Sequence, residues 1–241
     1  MNGTPLTPRL AGALAAALLL AACATAVPVV PYPDVVQAPH PLGLAEAADA
    51  EAVLETYSAS PNRNPDGLGT LDALWLNSRM TLVPWPVARA REAANRLAYA
   101  RTAEEHERVL AEARALYAQH WVFEGLLLSD VPAAAQVDFY LPDGVYLVDD
   151  RGRRFRPQVA RNADPLTTAR AISRFGEAHY GYPRLVFPAE AITAETRAVS
   201  LYFAALNRRL RFTWVFDPTY ELPPGPTLGS GRETNRLFPE R

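Results

Sequence analysis

Four histidines are the residues of this sequence best suited to acid–base chemistry or metal binding. No two of them stand four residues apart around a glutamate, the spacing with which one helix presents two zinc ligands. His106 lies in a glutamate-rich run (104–107) with helical periodicity, so it is predicted on the solvent side of a helix. The four are His40, His106, His120 and His179.

Two of these histidines have neighbours that would allow catalysis. His120 precedes Glu124 by four residues, and on a β-strand an even step places both side chains on one face. A general base needs such a carboxylate partner. His179 lies in an aromatic segment (177–182), predicted to be a loop that could line a sugar-binding surface. A packed structural residue is the simpler interpretation of both, and we assign no catalytic residue.

Other patterns that carry chemistry are missing from the sequence. None of Ser129, Ser173 and Ser200 lies in a Gly-x-Ser-x-Gly frame, and there is no Gly-rich phosphate loop. The acidic residues between 138 and 150 lack the alternating ligands and late glutamate of a calcium loop, so Asp149 and Asp150 are predicted to form a turn. We therefore expect no metal and no cofactor.

Arginines are the polar residues whose pattern favours a binding site. All 24 basic residues are arginine. If residues 153–157 form a strand, Arg154 and Arg156 face outwards while Phe155 faces the core. Were this hairpin to adjoin the hairpin that contains Arg209 and Arg211, the four arginines would form a basic edge for phosphate or carboxylate. The alternative is an edge strand kept soluble by charge.

The first 23 residues have the layout of an export signal. Arg9 precedes an apolar run, Leu10–Ala22, which ends in small residues before Cys23. A plain secretory signal or an uncleaved membrane anchor would share part of this layout, although alanine inserts weakly into membranes and Pro28 interrupts the longer apolar stretch. Cys23 is the one cysteine of the chain, so no intramolecular disulfide can form.

The four residues Leu20-Ala21-Ala22-Cys23 resemble the lipobox of bacterial lipoproteins. The resemblance implies that residues 1–22 are removed as a signal peptide and that the Cys23 thiol receives a diacylglycerol. Several acyl chains make a durable anchor, because one chain alone binds only marginally. An aspartate directly after the cysteine would resemble a signal for retention in the inner membrane, but this position is Ala24. We therefore expect the protein to be anchored in the outer membrane, facing the periplasm or the surface.

Composition divides the remaining chain into three parts. Residues 23–69 are predicted to be a Pro-rich tether with a short helix near 43–57. Residues 70–217 are predicted to form a β-sandwich domain that includes an α-helical hairpin at 87–119, where Thr102 and Glu105 have the spacing of a capping box. Residues 218–241 are rich in proline and glycine and are predicted to be a disordered tail.

Short apolar or alternating segments predict a mainly β fold. The predicted strands lie within 70–83, at 121–128 and 136–141, in a hairpin over 144–157, and at 184–187, 198–206 and 209–216, whereas 162–175 is predicted helical or irregular. The fold class is α+β, mainly β. The hairpin Tyr146–Phe155 and the apolar strand Leu185–Pro188 resemble those of telokin-like, immunoglobulin-like lipoprotein domains, which implies an antiparallel immunoglobulin-like sandwich with an added helical hairpin.

The resulting expectation is a membrane-anchored envelope lipoprotein with a non-enzymatic binding or structural role. Its partners would be the membrane, through the lipid, and an envelope polyanion or another envelope protein. A net charge of −2 gives no general attraction for nucleic acid. The alternative is an envelope enzyme that acts on glycan or cell-wall material with His120 or His179 and nearby carboxylates.

Lipidation of Cys23 has a direct test. We expect the protein isolated from the producing cells to carry the mass of a diacylglycerol on Cys23 and to sediment with membranes. The Cys23→Ser variant should appear in the soluble fraction, since it loses the acyl chains, whereas Thr25→Ser should behave like the unaltered chain. A Cys23→Ser protein that stays with the membranes, or an unmodified thiol in the wild type, would contradict the lipobox assignment.

Overall fold

Alternation of apolar and polar residues shapes most strands of this chain. In the strand Ala198–Ala205 the side chains of Val199, Leu201 and Phe203 are buried, and those between them are partly exposed. Such a strand buries one face and leaves the other towards solvent. The computed structural model describes residues 35–45, 49–61, 78–99, 101–129, 131–163, 167–173, 176–205 and 208–222.

The described part of the chain contains strands and helices with the following bounds. The strands are β1 (Val35–Gln37), β2 (Ser58–Ala59), β3 (Arg79–Val83), β4 (His120–Ser129), β5 (Val145–Asp149), β6 (Arg154–Phe155), β7 (Val159–Asn162), β8 (Thr167–Ser173), β9 (Gly176–Gly181), β10 (Pro183–Pro188), β11 (Ala198–Ala205) and β12 (Arg208–Val215). The α-helices are α1 (Ala50–Thr56), α2 (Trp85–Ala98) and α3 (Ala103–Gln119). Short 3₁₀ turns are Pro41–Gly43, Pro132–Ala135, Val137–Tyr140 and Ala189–Ala191.

Two sheets, mostly antiparallel, enclose one core. The first has the strand order β1-β12-β11-β5-β6, with β1 parallel to β12, and the second has the order β2-β3-β4-β10-β7, extended by the β8–β9 hairpin along β4. Trp214 of the first sheet and Phe123 of the second meet with ring centroids 5.2 Å apart. The prediction of a mainly β, α+β fold is therefore confirmed.

The helical hairpin covers the outer face of the second sheet. Helices α2 and α3 correspond to the predicted hairpin at 87–119. The Thr102 side chain accepts a hydrogen bond from the Glu105 backbone N–H, and the Glu105 carboxylate accepts one from the Thr102 backbone N–H, which confirms the capping box. A second small core of Leu54, Val83, Val87 and Ala88 joins α1 and α2 to β3.

The described segments 35–45 and 49–61 contribute residues to the folded core, in contrast to the extended tether expected over 23–69. Val36 pairs with Trp214 and is 3% exposed, and Tyr57 is fully buried. The Trp214 Nε1 donates to the Tyr57 carbonyl at 2.6 Å, and burial raises the pKa of the Tyr57 hydroxyl to about 12. Proline favours extended backbone, which suits an edge strand as well as a tether. Only α1 matches the short helix predicted there.

Two secondary-structure predictions in the second half are wrong. Segment 136–141 is not a strand but contains the 3₁₀ turn Val137–Tyr140, because its buried residues Val137 and Tyr140 are three apart, the repeat of that helix. Segment 162–175, predicted helical or irregular, contributes the last residue of β7 and contains the whole of β8. Of the strands predicted within 70–83, β3 is observed, and residues 70–77 lie outside the described ranges. The predicted strands at 121–128, 184–187, 198–206 and 209–216 and the hairpin over 144–157 are confirmed, with small shifts of their bounds.

Other expected features lie outside the described residues, namely residues 1–34 with Cys23 and the part of the predicted tail beyond residue 222. Among the described residues, no helix combines the length and apolar character needed to cross a membrane.

The place of Val36 in the core can be measured by mutation. We expect Val36→Ala to lower the free energy of unfolding by roughly 2 kcal/mol in urea denaturation, because it removes buried methyl groups and leaves a cavity. Gln37→Ala, at the exposed neighbouring position, should change it by less than about 0.5 kcal/mol. Equal effects of the two substitutions would contradict the assignment of β1 to the core.

Candidate anion-binding site

The β5–β6 turn fixes the direction of Arg154 and Arg156. The Asp149 carboxylate, which is fully buried, accepts hydrogen bonds from the backbone N–H groups of Arg151 and Arg153 and from the Arg153 side chain. Gly152 follows with φ of 79°, a conformation that glycine adopts without strain. This is the turn that the sequence predicts at Asp149, and it returns the chain so that Arg154 pairs with Val148.

Arg154 lies flat against an aromatic ring on the outer face of the first sheet. Its guanidinium carbon is 3.5 Å from the centroid of the Tyr146 ring, a close cation–π contact. Its Nη2 donates to the Asp143 backbone carbonyl at 2.7 Å. Phe155 is half-buried and packs against the core, as expected. The stacked guanidinium is thereby held in one orientation.

Tyr146 is one half of a stacked pair of tyrosines. Tyr146 and Tyr202 are directly paired on β5 and β11, with ring centroids 4.9 Å apart and an angle of 13° between the ring planes. The Tyr202 ring occupies one face of the Tyr146 ring, so the Arg154 guanidinium lies against the opposite face. Tyr202 is in turn paired across the strands with Arg211 of β12.

Arg211 ends this series of side chains on the other side. Its Nε lies buried and has no hydrogen-bond partner among the described residues. A buried donor without an acceptor costs free energy of about 1–3 kcal/mol. We call Arg154, Tyr146, Tyr202 and Arg211 the arginine–tyrosine row. The two predicted hairpins therefore adjoin, but their arginines lie across a sheet face and not along a single edge.

The other two arginines predicted for this site have different surroundings. Arg156 forms an exposed ion pair with Asp143, with 2.7 Å between Nη2 and Oδ1. Arg209 is paired with Ala204 in the β11–β12 register, and its side chain lies outside what the structure describes. In the described part of the chain, no carboxylate forms an ion pair with Arg154 or Arg211.

Neighbouring arginines of the same hairpin are occupied structurally. Arg151 pairs with Glu195 and holds the pKa of that carboxyl below its usual range. Arg153 pairs with Asp149, and Arg197 pairs with Asp150. Ion pairing with a carboxylate therefore distinguishes these structural arginines from Arg154 and Arg211 at the ends of the arginine–tyrosine row.

His120 and Glu124 do not form a pair. His120 contacts the Leu116 carbonyl through Nδ1 at 3.0 Å and Gln158 Oε1 through Nε2 at 2.7 Å. Glu124 instead binds Arg91 at 3.1 Å and Arg184 at 3.7 Å, which ties α2 to the second sheet. Burial, with a smaller contribution from Glu124, raises the pKa of the nearby Tyr117 hydroxyl.

The remaining histidines also differ from expectation. His106 is only 6% exposed, so its placement on the solvent side of the helix was wrong. It precedes the half-buried Leu110 by four residues and therefore heads the inward stripe of α3. His179 lies in β9 and not in a loop, paired with Ser129. His40 contacts the Thr193 carbonyl at 3.0 Å and the edge of Phe216.

Within the described ranges, no group of three or more histidine, cysteine or acidic side chains is arranged to hold a metal ion. No family model, curated protein or solved structure matches this chain. Tyr146 and Tyr202 were not identified from the sequence as candidate site residues. Alternation along each strand nevertheless predicts that both side chains lie on the face opposite the core.

Asp149 supports the hairpin that carries Arg154. We expect Asp149→Ala to lower the free energy of unfolding by about 2 kcal/mol, because it leaves backbone donors of the turn without an acceptor. Asp143→Ala removes an exposed carboxylate and should cost less than about 1 kcal/mol. Urea denaturation of both variants measures the difference, and an Asp149→Ala protein as stable as Asp143→Ala would show that the turn does not depend on this carboxylate.

Proposed function

We propose that this protein is a lipid-anchored envelope protein that binds an anionic envelope molecule through the arginine–tyrosine row and performs no catalysis. The observation that carries the proposal is the state of Arg154 and Arg211. One is stacked on a tyrosine, the other has a buried donor without an acceptor, and neither forms an ion pair with a described carboxylate.

The chemistry of arginine supports an anionic ligand. A guanidinium offers a planar set of donors that fits phosphate or carboxylate with two parallel hydrogen bonds. Stacking on Tyr146 covers one face of the Arg154 guanidinium and leaves its edge for hydrogen bonding. Because the tyrosine pair fixes the orientation of this group, less conformational entropy is lost when a ligand binds.

Lipidation at Cys23 would bring this surface to its ligand. The support is the lipobox resemblance of residues 20–23 and the preceding apolar run. A protein anchored at the membrane meets membrane-attached or wall-attached polyanions at a high effective concentration. A modest intrinsic affinity of the row would therefore suffice. An outer-membrane location, facing the periplasm or the surface, is part of the proposal.

We also infer that the domain is a variant of the immunoglobulin-like sandwich. Two mostly antiparallel sheets with a shared core support this assignment, as do the hairpin at Tyr146–Phe155 and the strand Leu185–Pro188. The helical hairpin and the parallel β1 are additions to a plain sandwich. Such domains act by binding or structure, in agreement with the role proposed for the row.

The enzyme alternative finds less support in the geometry. In its strongest candidate pair, His120 contacts Gln158 and Glu124 binds Arg91, so the two side chains do not contact each other. A general base needs the partner carboxylate within hydrogen-bond reach. Both groups of that pair instead join elements of the fold.

Binding can be tested with the full-length protein in neutral detergent micelles and a lipid-free, phosphorylated envelope polysaccharide. We expect the double variant Arg154→Ala/Arg156→Ala to bind at least about tenfold more weakly in titration calorimetry, because charge-assisted hydrogen bonds are lost. The control Arg151→Ala/Arg161→Ala has the same change in net charge at exposed positions that do not belong to the arginine–tyrosine row and should bind nearly normally.

The salt dependence adds a second criterion, since exposed charge interactions weaken as salt rises. Circular dichroism and urea denaturation of each variant establish that the fold is retained. Equal binding by the two double variants, or no binding of the polysaccharide by the wild-type protein, would contradict the proposed function.

A further inference from the structure

The two ends of the arginine–tyrosine row are far enough apart to need two anionic groups. Arg154 on β6 and Arg211 on β12 are separated by β5 and β11 in the first sheet. Neighbouring strands are about 4.8 Å apart, so the backbones at the two ends of the row are roughly 14 Å apart. Tyr146 and Tyr202, with ring centroids 4.9 Å apart, lie between them.

We propose that the row recognises a disaccharide that carries a phosphate group at each end, with one phosphate at Arg154 and the other at Arg211. This inference rests on the proposed function and specifies its ligand. A single phosphate cannot reach both arginines, whereas two linked sugar rings with a substituent at each end span such a distance.

The Arg211 end has a cation without an ion-pair partner among the described carboxylates. Arg211 is partly exposed, and its Nε lacks a hydrogen-bond partner within the described structure. A phosphate oxygen is a suitable acceptor for a guanidinium. In the register, Arg211 is paired with Tyr202 of β11, which places it beside the tyrosine pair.

The tyrosine pair between the two ends suits the sugar part of such a ligand. Tyrosine presents an apolar ring body with a hydroxyl at its end. Tyr146 is only 8% exposed, since both its ring faces are covered, whereas Tyr202 is more open. A sugar would therefore lie along the hydroxyl ends and the outer ring edges of the pair and would not stack on Tyr146.

Acidic groups near the row do not cancel its charge. The Asp143 carboxylate is paired with Arg156, and its backbone carbonyl accepts a hydrogen bond from Arg154. The next pair along the same face, Ser200 and Thr213, is uncharged, and its hydroxyl oxygens are 3.0 Å apart. Both ends of the row thus keep a net positive charge.

A series of synthetic disaccharides tests the inference with full-length protein in neutral detergent. The probes are one disaccharide with a phosphate at each end, the same disaccharide with one phosphate, and the unphosphorylated form. We expect the doubly phosphorylated probe to bind at least about tenfold more tightly than the singly phosphorylated one, equivalent to about 1.4 kcal/mol. Arg154→Ala and Arg211→Gln should each reduce this ratio to about one.

A conservative variant keeps the test valid if Arg211→Gln is unstable. Arg211→Lys keeps the positive charge but has no Nε donor, and we expect it to retain only part of the ratio. Arg161→Ala, at an exposed position on β7 of the other sheet, should leave the ratio unchanged. Selective loss at Arg154 and Arg211 would support the two-ended ligand.

Two outcomes would overturn the inference, and they are distinguishable. If single and double phosphates bind equally, with loss only in the Arg154 variant, the protein binds anions at one point and the proposed function survives without the two-ended ligand. If none of the probes or the polysaccharide binds, the proposed function fails as well.

Discussion

Burial of one aromatic side chain between the sheets determines how the rest of this molecule is arranged. Trp214 contacts Phe123 of the opposite sheet, and its indole N–H donates to the Tyr57 carbonyl. Through these contacts Trp214 joins both sheets to Tyr57, the residue that directly follows α1. Because side-chain direction alternates along a strand, burial of Trp214 with Phe212 and Leu210 forces Arg211 to the outer face. The core thus sets the position of the candidate site.

Local signals were sufficient for most elements of this fold but not for their long-range pairing. The capping box at Thr102 and the turn at Asp149 are short-range patterns, and both were predicted correctly. The parallel pairing of β1 with β12 joins residues at opposite ends of the described chain, and nothing in the sequence of residues 35–37 specifies it. The strand prediction for segment 136–141 was wrong for a different reason. In so short an apolar run, the two-residue repeat of a strand cannot be distinguished from the three-residue repeat of a 3₁₀ helix.

The candidate site divides in the same way. Arginines near two hairpins are visible in the sequence, and their outward direction follows from alternation. Their individual states depend on partners distant in sequence, such as Tyr202 beside Tyr146 or Glu195 beside Arg151. His106 shows the converse, because its glutamate neighbours suggested solvent while its place on the helical stripe directs it inwards. Charge content therefore identified the region, with Arg154 and Arg211 among four candidate arginines, but it did not distinguish these two from Arg156 and Arg209.

Two explanations compete for the arginines, and the residues beside them distinguish the two. Solubility of an exposed edge accounts for Arg154 and Arg156, because β6 ends the first sheet. It does not account for the stacked tyrosine pair in register between the two ends. Nor does it account for the direct pairing of Arg211 with one of those tyrosines. A ligand that contacts the whole row gives one reason for all four residues, whereas edge protection explains only part of them.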